Sequence, residues 1–504
     1  MNAKKKLNRR DFLKAAAAAT GALTLAGCAP QVVKETVIVE KPVEKMVKET
    51  VIVEGTPQVV EKVVTATPVA EEIKLMVSNI AWENLIMEER TEFVREKYPN
   101  VTFEVDEGAV STEDEIRFLA RLAAGTVPDT NQGGDAGPSF YGPRGIFIDL
   151  ATYMNRDKDF WFDPNIFEQR AFNKEPNGAI YGIPHTADAR QIMLNLQSFE
   201  DMDVEVPPML YGDPNYDAKW SWEDMKETAR QLTVDANGRR PGDAGFDKDD
   251  IEKYGLSIDL SWLYLWPMIY QAGGKVVDDE WKRVYFDSDE AIKAMKYVQG
   301  MVDEGIVPPP ALTSQLGGGL ALISSGATAM NFNGAWTSRR YREEVGKGDF
   351  RLSFAPFPHD VAPATLCLGI QMTIPTLCKY PEIAYEWLKG LYVLLDLVIE
   401  RWTTENPEDN PFNLYRNKVD VPLTDHYKCF GKDCVDLLPI LGDAYEHAAI
   451  MPKPYGPWFP EVRDLFQTEM GPALNGEIAV EDAVEALMPQ AQEIMDRWYE
   501  ELHQ

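Results

Sequence analysis

Ile73-Lys-Leu-Met-Val-Ser78 alternates in the manner of a half-buried strand, and its surroundings decide the fold. Glu83 to Tyr98 follows with helical spacing and stops before Pro99, where the ring removes a donor and crowds the preceding turn. Val101-Thr-Phe-Glu-Val105 alternates again. Thr112 with Glu115 three residues on has the form of a capping box. The helix it opens runs through Arg117, Leu119 and Leu122 to Gly125. Strands alternating with helices predict an α/β fold with a mostly parallel sheet.

Upstream the chain changes character. Lys4, Lys5, Lys6, Arg9 and Arg10 form a positive region, and an apolar stretch follows from about Ala15 to Ala26. It is shorter than the roughly 20 residues that span a bilayer. Leu25-Ala-Gly-Cys28 resembles the bacterial lipobox, in which small residues admit the signal peptidase and the thiol receives a diacylglycerol. Asn8-Arg-Arg-Asp-Phe-Leu-Lys14 resembles the twin-arginine export signal, with ordinary secretion as the alternative. Residues 1–27 are therefore expected to be a signal peptide and Cys28 a lipidated residue. Two acyl chains there give stable anchoring to the outer face of a bacterial cell membrane.

Residues 28–72 read as an extended spacer. Val33-Lys-Glu-Thr-Val-Ile-Val-Glu40 recurs as Val47-Lys-Glu-Thr-Val-Ile-Val-Glu54, and no aromatic residue is available to build a core. As a flexible coil the segment reaches about 35–40 Å; stretched, it reaches roughly 150 Å. The fourteen-residue period also fits two heptads, so a short coiled coil is the rival. Pro42 and the β-branched content weigh against it.

The 504 residues carry a net charge of −31, and the leader holds six basic side chains against one acid. Such a balance excludes nucleic acid and an anionic membrane surface as electrostatic partners. Beyond Cys28 only Cys367, Cys378, Cys429 and Cys434 remain. Cys429-Phe-Gly-Lys-Asp-Cys434 is a short loop that either closes as a disulfide outside the cell or stays reduced. No second Cys pair or His pair has metal-site spacing, and the acidic stretch Asp243 to Glu252 lacks the calcium-loop pattern. There is no phosphate loop, no His-Glu-x-x-His and no Gly-x-Ser-x-Gly, so no cofactor, metal or catalytic role is expected.

Several further segments, in order, resemble one family. Leu119-Ala-Arg-Leu-Ala-Ala-Gly-Thr-Val-Pro-Asp129 comes first, then Ile180-Tyr-Gly-Ile-Pro-His185 with Met193-Leu-Asn195. Trp220-Ser-Trp-Glu-Asp-Met225 and Asp287-Ser-Asp-Glu-Ala291 open helices. Ala329-Met-Asn-Phe-Asn-Gly-Ala-Trp336 is the most specific, followed by Gly369-Ile-Gln-Met-Thr-Ile374 and Pro381-Glu-Ile-Ala-Tyr-Glu-Trp-Leu388. Over roughly Ile73 to Arg497 this order is similar to the sugar-binding, maltose-binding-like class of extracellular solute-binding proteins. The resemblance implies a periplasmic-binding-protein-like α/β fold with two lobes, a hinge and an interlobe ligand cleft. It implies 73–187 with 364–430 as lobe 1 and 188–363 with 431–504 as lobe 2, crossing near 184–190 and 363–369. It implies a monomer that hands a small molecule, a carbohydrate, to an ABC permease driven by a separate ATPase. A peptide or other polar solute, or a tethered glycan-processing enzyme, is the alternative. The acidic segment 235–250 and the stretch 401–434 depart from the pattern.

A sugar cleft needs aromatic plates for C–H faces and polar groups for hydroxyl edges. The aromatic candidates are Trp82, which follows the first strand, and Trp262, Trp266, Trp336 and Trp458, these four with core packing as the alternative. Asn79 follows the first strand, whose C-terminal end faces the crevice in an open α/β sheet. Asp135 lies in a glycine-rich loop, and His185, Asp188 and Arg190 lie at the crossover. Asn333 and Gln371 follow from motif position, with backbone bracing as the alternative.

Overall fold

The computed structural model describes residues 43–53, 56–66, 72–79, 81–107, 112–134, 136–163, 172–184, 188–334, 351–405, 440, 443–444 and 447–502. The chain divides into two units, 1–71 and 72–504.

In the first unit, β1 (Val43–Val53) and β2 (Thr56–Ala66) pair antiparallel, from Val43 opposite Ala66 to Val53 opposite Thr56. The sequence predicts an extended spacer here, with a coiled coil as rival; the structure pairs residues 43–53 and 56–66 as a hairpin. The physical reason is legible afterwards. Val-x-Val alternation serves a strand, and only Glu54 and Gly55 separate the two runs, the length of the tightest hairpin connections.

In the second unit two hydrophobic cores form. One gathers residues from Leu75 to Ile183 and from Cys367 to Val398. The other gathers Ala189 to Leu368 and Ala444 to Met495. They are called lobe 1 and lobe 2 below.

Lobe 1 begins with β3 (Ile73–Asn79) parallel to β4 (Val101–Glu107). A short 3-10 turn, Ala81–Ile86, precedes the helix Met87–Arg95 between them, where the sequence predicts one helix from Glu83. β5 (Asn131–Gly133) and β6 (Ile183–Pro184) flank a later strand, β13 (Gln371–Thr373), both antiparallel to it. Bonds from Asp129 N to Met76 O (2.7 Å) and Ser78 N to Thr130 O (3.1 Å) join these strands to β3.

Lobe 2 is built on the order β11-β7-β10-β9-β8: Leu352–Ala355, Asp188–Asn195, Thr328–Gly334, Ile251–Ser257 and Val234–Asp235. β9 and β10 are parallel, while β7 runs antiparallel to β10, β11 and β12 (Cys367–Leu368). The expectation of a mostly parallel sheet is thus corrected to a mixed one. Strands that carry the chain between lobes run against those closed by helical crossovers, and apolar alternation carries no information about sense.

Helix starts follow local chemistry. Ser221 caps Trp222–Gln231 with Asp224 as its reciprocal partner, a full capping box. Ser288 caps Asp289–Asp303, and Pro381 occupies the first turn of Pro381–Val393. Helix Trp222–Gln231 lies directly on β9 at Gly255, where a Cβ would strike the Ala229 carbonyl. Gly255→Ala should therefore cost about 1–3 kcal/mol through overpacking, measurable by urea unfolding of lobe 2.

Candidate functional site

Three strands lie side by side where the lobes join. Arg190 N donates to Leu366 O (2.9 Å), and Thr365 Oγ1 donates to Arg190 O (2.8 Å). Thr365 in turn bonds a third pass, with its N on Ala449 O and Met451 N on its own carbonyl, both 2.9 Å. The first two passes fall in the stretches 184–190 and 363–369 offered as crossings by the sequence; the third rests on a single bridge and leaves no periodicity to find.

On the lobe 1 side, Asn79 ends β3 and is fully buried. With its amide nitrogen oriented by its neighbours, it donates to Glu83 Oε2 (2.9 Å) and Ser78 O (3.1 Å). Glu83 also accepts from Gln132 Nε2 (2.5 Å) and pairs with Arg90 Nη1 (3.0 Å), both members of that ion pair being buried. Arg90 Nε donates to Trp387 O (2.8 Å), and its guanidinium lies 4.1 Å from the Trp387 ring. Burial pulls the Arg90 pKa down against the pull of Glu83. Tyr392, from the same helix as Trp387, donates to the Pro184 carbonyl in β6. Asn79 therefore serves as a brace in this conformation. Gln371 begins β13 opposite both Gly133 and Pro184, and is buried. Trp82 lies in the 3-10 turn, and Asp188 opens β7 opposite Leu368. Asp135 and His185 lie outside the described residues, as do Trp336, Cys28, Cys429 and Cys434.

On the lobe 2 side the aromatic candidates converge. Helix Trp262–Gln271 starts at Ser261, whose side chain accepts from Leu263 N. Trp266 is fully buried against Phe286, Phe459 and Phe466, the core role of its two readings. Trp262 is half-buried and meets Tyr455 and Phe459 edge to face at 5.6 and 4.9 Å. Trp458 is fully buried, and among the described residues its indole N–H has no hydrogen-bond partner, as is also true of Trp266 and Trp387. A buried indole donor without an acceptor is costly, and a polar group brought to it would relieve that cost. Asn333 braces the end of β10, donating to Asn331 Oδ1 (2.7 Å) and accepting from Gly334 N (3.0 Å). Tyr455 and Phe459 were not singled out in the sequence. The signal available was the Pro/Gly/aromatic run Met451-Pro-Lys-Pro-Tyr-Gly-Pro-Trp-Phe459 ahead of a helix.

The segment 235–250 is tied to the outer edge of the lobe 2 sheet. Asp235 Oδ1 accepts from Asn237 N (2.8 Å) and Arg239 N (2.9 Å), and Oδ2 from Asp247 N (3.0 Å). Burial works to raise this carboxyl, but the three backbone donors outweigh it and hold it below the usual range. Among the described residues no group of three His, Cys, Asp or Glu side chains is placed to hold a metal ion.

Two lobes, each with its own sheet and core, joined by adjacent backbone passes, define a periplasmic-binding-protein-like fold. Solved structures agree. The substrate-binding protein of an ABC transporter from Listeria monocytogenes, in complex with cycloalternan, is 17% identical with a TM-score of 0.63, over 84% of this chain and 100% of that one. The sugar-binding protein MalE from Xanthomonas citri is 15% identical, TM-score 0.62, over 84% and 98%. The maltose/maltodextrin-binding domain MalE from Bdellovibrio bacteriovorus, bound to maltotriose, is 18% identical, TM-score 0.57, over 84% and 99%. Residues 78–392 match the bacterial extracellular solute-binding protein family, and the chain belongs to that family. Residues 6–26 match the twin-arginine translocation signal, which supports export.

Proposed function

We propose that this chain captures a sugar or oligosaccharide between its two lobes and delivers it to the permease of an ABC importer, held to the membrane by a lipid on Cys28. Lobe 1 comprises 73–187 and 364–430, and lobe 2 comprises 188–363 and 431–504; the two separate cores support this division. The observation that carries the reading is the half-buried ring of Trp262, which keeps an edge open while it packs on the buried Tyr455 and Phe459. A partly exposed indole of this kind suits the C–H surface of a pyranose. The relatives bound to cycloalternan and maltotriose support the same class of ligand. Energy for transport comes from a separate ATPase.

The test is a thermal-shift screen of maltotriose, other oligosaccharides, monosaccharides, amino acids and short peptides, followed by calorimetry. A sugar should raise the melting temperature and shift tryptophan fluorescence without being consumed. Stabilisation by a peptide alone would transfer the reading to another solute, and turnover of a glycan by the pure protein would sink it. Trp336→Ala and Trp262→Ala should each weaken sugar binding about ten-fold, the worth of one aromatic stack, with circular dichroism unchanged. Unaltered affinity in both would assign these rings to packing.

A further inference from the structure

Arg144 belongs to lobe 1 by chain and surroundings. It follows the helix Gly137–Tyr141, donates back to Phe140 O (2.5 Å), and lies 3.6 Å from the Phe140 ring centre. Phe140 packs in a satellite cluster with Phe118, Tyr141 and Phe147. Yet the other side of the guanidinium faces lobe 2. Its plane lies 3.9 Å from the ring centre of Trp498, and Nη2 donates to Pro457 O (3.2 Å). Pro457 immediately precedes Trp458. Ala136, on the same stretch as Arg144, packs against the lobe 2 core. These contacts join the lobes far along the sequence from the three crossing strands.

The receiving surface is fixed in place. Trp498 Nε1 donates to Glu461 Oε1 (3.0 Å), and Arg497 pairs with the other Glu461 oxygen. Glu461 and Trp498 lie on the two C-terminal helices, Phe459–Leu474 and Val480–Leu502, which pack together. Among the described residues no carboxylate stands within ion-pair distance of Arg144; Glu461 and Glu501 act on it only from farther away. Burial lowers the guanidinium to about 10, so it stays charged at neutral pH.

We propose that Arg144 is a positioning residue for the ligand cleft: a cation held between Phe140 of one lobe and Trp498 of the other, it latches the lobes together beside Trp458. A cation between two rings shifts an equilibrium roughly two- to thirty-fold, enough to bias closure yet reversible. Two buried charges locked as an ion pair would release far less readily. The latch raises the closed population before ligand arrives, and so reduces what the ligand must supply on binding. It rests on the capture reading only where ligand release is measured.

The first arm needs no ligand. Small-angle X-ray scattering on the full chain compares wild type with Arg144→Ala and Trp498→Leu, with Trp498→Tyr as the conservative variant that keeps a ring. Both disruptive variants should have a larger radius of gyration with unchanged far-ultraviolet dichroism, and Trp498→Tyr should stay near wild type. An unchanged radius in both disruptive variants overturns the latch. In the second arm, stopped-flow fluorescence follows maltotriose release, which should be about ten-fold faster from Arg144→Ala than from wild type. Equal release rates also overturn the latch. Should wild type bind no maltotriose, the sugar reading suffers while the scattering comparison alone decides the latch.

Discussion

Arg90→Met should lower the stability of lobe 1 by about 3–5 kcal/mol, because it takes from the buried Glu83 carboxylate its buried ion-pair partner. The loss falls on more than one contact. Glu83 holds Gln132 and Asn79 as well as Arg90, so the ends of β3 and β5 lose their common anchor. Arg90 also ties the helix Met87–Arg95 to Trp387 on Pro381–Val393. Calorimetry should show one transition falling by on the order of 10 °C while a second, from lobe 2, stays in place. The double variant Glu83→Gln/Arg90→Met should recover part of the loss, since the remaining amide carries no charge to bury. A single variant within about 0.5 kcal/mol of wild type would show that the pair is solvated in solution.

Glu175→Gln should act in the opposite direction, and only above acid pH. Glu175 opens a turn closed by Gly178 N on its carbonyl (2.8 Å), with Gly178 at φ 84. Its side chain is buried, and among the described residues Oε2 has no partner. Burial pushes the carboxyl up to about 8, against a hydrogen bond with Ser139 that lowers it. The folded protein therefore keeps this proton over a range where the unfolded chain has released it. Below about pH 4.5 both states are protonated and the contribution is fully present. Between there and about pH 8 the unfolded state binds fewer protons, so stability falls as pH rises, at about 1.4 kcal/mol per pH unit. Glu175→Gln should match wild type at pH 4.5 and exceed it by a few kcal/mol at pH 8.5. Denaturant midpoints measured across that range check it; parallel curves for the two proteins would refute the buried proton.

Much of the fold was legible because it rests on local rules. Ile73–Ser78 and Val101–Val105 alternate as read, and the structure extends them to Asn79 and Glu107 and pairs them in parallel. Ser221 and Ser288 announce their helices, since orphan N–H groups need acceptors wherever a helix starts. What escaped depends on long-range pairing. Nothing in Gln371-Met-Thr373 says that it enters between residues 131–133 and 183–184, and nothing in Ile450 says that it pairs with Thr365. The site divides the same way. Trp262 and Trp266 sit four apart on one helix, and residue type cannot distinguish them. Their surroundings do: Phe466 and Phe286 enclose Trp266, whereas Trp262 keeps an open edge. Arg144 carried no motif at all, because its partners at 457 and 498 come from the far end of the chain.

The placement of β13 between β5 and β6 sets an order of events during synthesis. The first lobe cannot assemble its sheet while only its N-terminal portion has left the ribosome. Residue 131 waits for residue 373, and Leu75 waits for the helix that carries Trp387 and Leu391. Most of the second lobe, residues 188–363, is made in the interval, and its last core residues, Ala444 to Met495, follow only after the first lobe's strands are complete. A chain threaded outward residue by residue as it is made would present these halves to the far side of the membrane some tens of seconds apart, at about 5–20 residues per second. A twin-arginine leader instead keeps the whole polypeptide in one compartment until both halves have met.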